Sequence, residues 1–321
     1  MPASDSDLPA LFLQRLEQMI PEESLGTCMA SFSEIRPTSF RVNTLKSESS
    51  KLLLELQQLG LDVRPVKWMS GAFTLGDHGQ RRRLTESPAF REGRLYIQGL
   101  ASMLAPLLLD PKPGETVLDL AAAPGGKTLQ IAAMMKNQGT LSAVESVKGR
   151  FFRLRANLAL HGATMVKCYL MDGRAVGGKV PERFDRVLLD APCSSEARFH
   201  VSKPESWLRW NIKKVRESAR KQVRLLDSAV KSLRVGGRLV YCTCAFSPEE
   251  NEEVIHRTLK RYPDKLVVDA IRLPISGVQN GIEAWSGNAY DPQVSQALRV
   301  LPTAEISGFF LCQMTKVSEG S

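Results

Sequence analysis

ETVLDLAAAPGGKT, residues 115–128, changes hydrophobic period at its centre and sets a glycine pair at the change. Val117, Leu118 and Leu120 make the short apolar run of a strand buried on both faces. Pro124-Gly125-Gly126 ends that run, and from Thr128 onward Leu129, Ala132, Ala133 and Met135 recur at helical spacing. The stretch reads as strand, tight loop and helix, with the loop opening onto a helix N-terminus. Glycines there let the backbone approach a ligand, and free N–H groups suit a carboxylate or a phosphate. An ordinary strand-to-helix turn of a doubly wound sheet has the same letters. The stretch is neither G-x-G-x-x-G nor a P-loop, because the leading glycine of G-x-x-x-x-G-K-[ST] is missing.

Downstream, apolar runs alternate with helical patterns, the signature of βαβ units in a mostly parallel sheet. Strands are expected at 141–145, 165–170, 184–190 and 239–243, with an apolar last strand at 308–312. Helices are expected at 150–161, at 211–233 with Gly236-Gly237 as its stop, and from a Ser247-Pro248-Glu249-Glu250 capping box to residue 262. Upstream, Leu8, Leu11, Phe12, Leu16 and Met19 form a helical stripe closed by Pro21, and 52–59 forms another closed by Gly60. Strands are expected at 39–43, 63–66 and 72–75, and 96–102 is expected to open a helix running through Leu109. The chain divides into a small α+β unit, residues 1–90, and an α/β unit, residues 91–321.

With 321 residues, 43% of them hydrophobic, the chain can bury one large core and a smaller one. Its 43 Lys+Arg against 34 Asp+Glu give a net charge of +9, which favours polyanionic partners. Asp5, Asp7, Glu17, Glu22 and Glu23 break up the N-terminus, so neither a secretory signal nor a transit peptide is expected, and no window reaches membrane-spanning length. The six cysteines show neither disulfide-framework density nor paired C-x-x-C spacing, so a cytoplasmic chain without a metal site is expected.

In a doubly wound sheet, ligands sit beyond the carboxyl ends of the strands. Asp119 within the first strand, Glu145 ending the second, Asp172 just past the third and Asp190 ending the fourth are the acids placed there. An acid after the second strand suits a nucleotide ribose, whose two hydroxyls a carboxylate can accept. Any one of them alone would be a solvated strand end; their joint placement points to a cofactor. Asp190-Ala191-Pro192-Cys193-Ser194 and Tyr241-Cys242-Thr243-Cys244 then put a cysteine at the end of each of two neighbouring strands. Cys28, Cys168, Cys242 and Cys312 read as small buried hydrophobes.

Taken together, AAAPGGKT (121–128), DAPCS (190–194), TC (243–244) followed by SPEEN (247–251), RPTSFRVNTLK (36–46) and YIQGLAS (96–102) resemble the RNA cytosine-5 methyltransferases of the NOL1/NOP2/Sun family over nearly the whole chain. The resemblance implies a Rossmann-like S-adenosylmethionine-dependent methyltransferase fold with a small N-terminal domain that helps hold RNA. It implies S-adenosyl-L-methionine as cofactor, in a pocket lined by Ala121, Ala122, Ala123, Pro124, Gly125, Gly126, Lys127, Glu145, Arg150, Asp172, Gly173 and Asp190. It also implies that Cys244 attacks carbon 6 of cytosine and Cys193 assists release, with Asp190 and Lys127 at the base.

The chemistry explains the thiols. Carbon 5 of cytosine is too weak a nucleophile to take a methyl group unaided, and thiolate addition at carbon 6 turns the ring into an enamine. N3 gains charge in that step and needs a donor. A helix beginning after Ser247 would aim its positive end at Cys244, with Glu249 and Glu250 opposing if they face the site. Two positions depart from the family: Gly99 replaces an acid, and Ser195 replaces a glycine. RNA, ribosomal or transfer, is the expected partner of a monomer. Arg81 to Arg83 are candidate phosphate contacts or a solvated loop, and Trp207, Arg209, Trp210, Lys213, Lys214 and Arg216 are an RNA-facing mixture or a helix that buries its tryptophans. The rival functions are DNA cytosine methylation and a non-catalytic RNA-binding assembly factor. No PUA-like or NusB-like appendage is expected in this length.

Overall fold

The computed structural model describes residues 8–317, so Asp5 and Asp7 lie outside the described residues. Strands β1 (Ser39–Val42), β2 (Val63–Pro65), β3 (Ala72–Leu75) and β4 (Leu95–Ile97) form an antiparallel sheet in the order β2-β3-β1-β4. Leu95–Ile97 is therefore a strand on β1, and the helix expected from residue 96 starts only at Leu100. Three strand residues are too few for their period to show against the apolar helix that follows.

The larger sheet has a parallel half built from β5 (Thr116–Asp119), β6 (Thr140–Glu145), β7 (Val166–Leu170), β8 (Phe184–Asp190) and β9 (Leu233–Thr243), in the order β7-β6-β5-β8-β9. Val117 packs into the core on one face and Leu118 into the core on the other, which is why the letters run apolar without alternation. Each such fully buried side chain contributes about 1.5–3 kcal/mol relative to exposure. The strand order reverses between β5 and β8, so the loops after them diverge and leave a crevice.

Beyond β9 the sheet turns antiparallel. β10 (Leu266–Asp269) and β11 (Val278–Asn280) are followed by a separate hairpin of β12 (Ala284–Trp285) and β13 (Asn288–Ala289), then β14 (Leu298–Val300) and β15 (Phe309–Lys316). The path continues β9-β15-β14-β11, with β10 also on β15. Of this half only the start of β15 was expected.

Gly236-Gly237 does not stop the long helix. The helix ends at Ser232, and the glycines form a bulge inside β9, where Gly236 has φ 75° and a Cβ on Gly237 would meet Arg234 O at 2.8 Å. Arg81–Glu86 is a short helix, not a loop, in which Arg82 pairs with Glu86 and Arg83 reaches Gly60 O. Cys28, Cys242 and Cys312 are buried free thiols, whereas Cys168 on edge strand β7 is only partly covered.

Two interfaces tie the first part of the chain to the second. Asn43 Nδ2 donates to Gly93 O and His161 O, both at 2.8 Å. Buried Arg41 donates to Gln98 Oε1 at 2.9 Å and to Gly126 O at 3.2 Å, so β1 braces the glycine loop. The Ala10–Met19 helix packs elsewhere: Phe12 stacks edge-on against Phe32, Phe199 and Trp210. That helix belongs to the core cluster against which Cys244 packs.

Candidate active site

Two cavities open at the carboxyl edge of the parallel strands, and both are lined by Ala121. The outer one, about 310 Å³, is lined by Glu145, Arg150, Asp172 and Gly173. Glu145 is buried, accepts from Val147 N at 2.8 Å and lies 3.6 Å from Arg150, which donates to Ala123 O at 2.6 Å. Asp172 takes a bidentate hold from Arg174, which keeps its carboxyl below the usual range. A side chain on Gly173 would meet Leu120 O at 3.0 Å and Leu225 at 2.9 Å, so only glycine keeps this wall thin.

The inner cavity, about 380 Å³, is lined by Ala121 to Pro124, Gly126, Lys127, Asp119, Asp190, Arg198 and Cys244. Gly125 caps the following helix at φ 111°, a conformation L side chains avoid, and a Cβ there would stand 3.0 Å from Leu154. Lys127 Nζ holds Asp190 Oδ2 at 2.6 Å over the Phe309 ring. Burial opposes the Lys127 charge, but Asp190 and the nearby thiols outweigh it and raise its pKa. Asp119 accepts from Thr128 Oγ1 at 2.6 Å, yet its Oδ1 is buried with no partner at hydrogen-bonding geometry among the described residues. Burial pushes its pKa up to about 6. An unsatisfied carboxylate oxygen in a cavity wall is a place for an ammonium group.

Cys193 and Cys244 meet at the edge of this chamber with sulfurs 3.4 Å apart. The Cys193 thiol donates to Cys244, and Arg198 adds positive charge, so the Cys244 pKa falls below that of an ordinary thiol despite burial. The Cys193 pKa moves up, first because of that same contact and then by burial. Ser247 does not cap: a three-residue 3-10 turn, Pro248–Glu250, intervenes, and the helix begins at Glu252.

Four side chains to which the sequence assigned no bracing role hold the cysteine loops, Glu196 and Glu250 by bridging them and Asn251 and Glu252 by fixing the turn after Cys244. Glu196 is fully buried and accepts from Trp210 Nε1 (2.8 Å), Phe246 N (2.7 Å), Ser247 N (2.8 Å) and Ser247 Oγ (2.6 Å). Glu250 accepts from Ser194 N at 3.0 Å, from Ser194 Oγ and from Gln222 Nε2 at 3.0 Å. Asn251 donates to Ala245 O at 2.9 Å, and Glu252 makes a buried bidentate pair with Arg299, whose other nitrogen reaches Phe246 O. Acids clustered straight after a strand-end cysteine were the visible signal; nothing marked Glu196. Glu249 turns away to Arg15 at 2.6 Å, so neither it nor Glu250 points a free charge at Cys244.

Ser195 adopts the left-handed conformation that favours glycine, at φ 61°, ψ 30°. Trp210 packs inward on Phe12 while Lys213, Lys214 and Arg216 are exposed, so the tryptophan is core and only the cations face out.

The sequence profile of the 16S rRNA methyltransferase RsmB/F family matches residues 106–315, and that of the N-terminal domain of 16S rRNA methyltransferase RsmF matches residues 8–100. The chain is 34% identical to ribosomal RNA small subunit methyltransferase F of Vibrio vulnificus over 97% of its own length, spanning 64% of that relative. It is 36% identical to the tRNA (cytosine(49)-C(5))-methyltransferase of Pyrococcus abyssi, covering 89% of each chain. A solved methyltransferase homologue from Pyrococcus horikoshii is 33% identical and superposes with a TM-score of 0.82 over 96% of this chain and 95% of that one. With both profiles matched in order, the chain belongs to the RsmB/F group of 16S rRNA methyltransferases, the same Sun-type family that its motifs resemble.

Proposed function

We propose that the chain is an S-adenosylmethionine-dependent RNA cytosine-C5 methyltransferase that works through a covalent bond from Cys244 to carbon 6. The observation that carries this reading is the pair of thiols 3.4 Å apart, one with a lowered and one with a raised pKa, in a chamber shared with Asp190 and Lys127. The relatives named for rRNA and tRNA methylation support RNA as substrate.

The cofactor fits the residues present. Glu145 and Asp172 would hold the ribose side, the glycine loop would back the amino-acid carboxylate, and the orphan Asp119 oxygen would receive its ammonium. When bound, the cofactor supplies an electrophilic methyl group. The rest is the work of this chain. The Cys244 thiolate adds to carbon 6, and the ring's π pair moves toward N3, which takes a proton from the Lys127–Asp190 couple. Carbon 5 is then the nucleophile. Once Cys244 is bonded to carbon, the contact that most raises the Cys193 pKa is gone, so Cys193 gives its own proton to solvent more readily and, as the thiolate, takes the carbon 5 proton. The carbon 5 C–H pair re-forms the C5–C6 double bond, the S–C bond breaks to restore the Cys244 thiolate, and N3 returns its proton to the Lys127–Asp190 couple. Residues 1–90 are assigned to holding the RNA.

Calorimetry with S-adenosylhomocysteine tests the cofactor half: Glu145→Ala and Gly125→Val should each weaken binding at least tenfold, and unchanged binding in both removes the cofactor. Bisulfite sequencing of RNA from a deletion strain tests the other half, since a cytosine that loses its mark names the target.

A further inference from the structure

A second groove, about 740 Å³ and thus larger than the thiol chamber, lies between the Ile212–Ser232 and Glu252–Arg261 helices. The β12–β13 hairpin forms its outer wall, turning on Ser286 (φ 49°) and Gly287 (φ 79°) and bringing Trp285 to the lining. The Arg15 guanidinium sits 5.0 Å from that indole ring, whose Nε1 is buried without a hydrogen-bond partner among the described residues. The two acids of the lining are already matched, Glu249 by Arg15 and Glu253 by Arg257. Arg216, Arg220 and Lys260 are exposed there and make no ion pair among the described residues.

Arg216, Arg220 and Arg224 recur every four residues on one exposed helix face. Like charges at that spacing repel one another, and among the described residues Glu217 is the one acid beside them in the adjoining cleft, so the stripe favours an anion from outside. The stripe joins this groove, through Arg220, to a cleft that Lys221 shares with the cofactor cavity. The groove also adjoins the chemistry, because the turn that follows Cys244 supplies Glu249 to its wall. A recessed indole ringed by cations suits an unpaired nucleotide rather than a duplex, whose backbone would need only the ridge.

We propose that this groove holds an unpaired nucleotide of the RNA that flanks the target cytosine, with phosphates on Arg216, Arg220 and Lys260 and a base against Trp285. The proposal rests on the RNA reading above. Labelled oligouridylate is the probe, because it lacks a cytosine for the thiol chamber. Fluorescence anisotropy should show log K falling linearly with log salt for the unaltered protein. The Arg216→Gln/Arg220→Gln variant should weaken binding tenfold or more at low salt and reduce the slope by about 1.4, two single-strand phosphates' share. Trp285→Leu should weaken binding roughly 5- to 150-fold, and Lys179→Gln/Arg183→Gln, exposed beside the opposite, Ser232 end of the long helix, should change nothing. Methyl transfer at saturating RNA should persist in the arginine variant, whose altered side chains are solvent-facing.

Unchanged affinity and slope in the groove variants, with the unaltered protein still methylating RNA, would overturn the groove and leave the enzyme reading standing. Loss of methyl transfer at saturating RNA in a folded arginine variant would also overturn it, by placing the groove in the catalytic machinery. Displacement by polyglutamate as effective as by RNA would assign the groove to an acidic protein segment instead. An unaltered protein that neither binds oligouridylate nor methylates RNA would overturn both readings.

Discussion

The sulfurs of Cys193 and Cys244 lie 3.4 Å apart and titrate in opposite directions, Cys244 below an ordinary thiol and Cys193 above it. One proton shared between two sulfurs makes one of them a nucleophile and the other its donor. Arg198 biases the choice: its guanidinium stabilises charge on Cys244, and its own pKa is raised chiefly by that thiol.

Iodoacetamide at pH 7 should therefore label Cys244 ahead of Cys193, since only a thiolate reacts quickly. Arg198→Gln should slow the labelling of Cys244 several-fold at the same pH and move its ionisation upward. Peptide mass spectrometry against time reads both. Equal labelling of the two cysteines would contradict the asymmetry.

Glu196 is the joint between the cysteine loops, and removing it leaves buried donors without an acceptor. Glu196→Ala should cost about 3–5 kcal/mol of stability, seen as a lower urea midpoint. Glu196→Gln should cost less, yet still destabilise, because an amide turns one acceptor into a donor facing N–H groups.

Glu250 predicts a pH dependence. Burial, then the charge of Glu196, raises its pKa from 4.5 to about 8. A carboxyl raised on folding binds more protons folded than unfolded, so its stabilisation is present below pH 4.5 and is lost as pH climbs through about 8. Urea midpoints should fall between pH 5 and pH 8.5, reflecting a loss of stability of about a few kcal/mol at most. Glu250→Gln should flatten that limb; an unaltered slope would show that another group is responsible.

Ser195 in a left-handed conformation carries strain that a glycine lacks. Ser195→Gly should leave stability unchanged or raise it by up to about 1 kcal/mol, because relief of strain is offset by the freer unfolded chain. Ser195→Val should lower it by more than that. Thermal melts of the two variants compare the signs directly.

The parallel half of the fold was legible because a strand buried on both faces and an amphipathic helix leave different periods in the letters. Val117 and Leu118 against Leu129, Ala132 and Ala133 are the plainest case. The antiparallel half was not, because Val278–Asn280 and Leu298–Val300 are three-residue strands whose pairing depends on β15 from elsewhere in the chain. In the site, the cysteines, Asp190 and the glycine loop were legible as strand ends carrying chemistry. Ser247 misled, since a capping box is a local pattern and Glu196, distant in sequence, takes its hydroxyl and its N–H. Glu196 itself was hidden for the same reason: a buried acid shows only through donors that the fold brings to it.

The central claim is that Cys244, not Cys193, bonds to the base, and a denaturing gel with substrate RNA and S-adenosylmethionine tests it most directly. The account predicts a shifted protein–RNA band for Cys193→Ala, where attack proceeds but release stalls. It predicts no shifted band for Cys244→Ala or for the double variant, and no methylation by either. A persistent band in Cys244→Ala with none in Cys193→Ala would move the nucleophile to Cys193, and full activity in both single variants would remove the covalent mechanism.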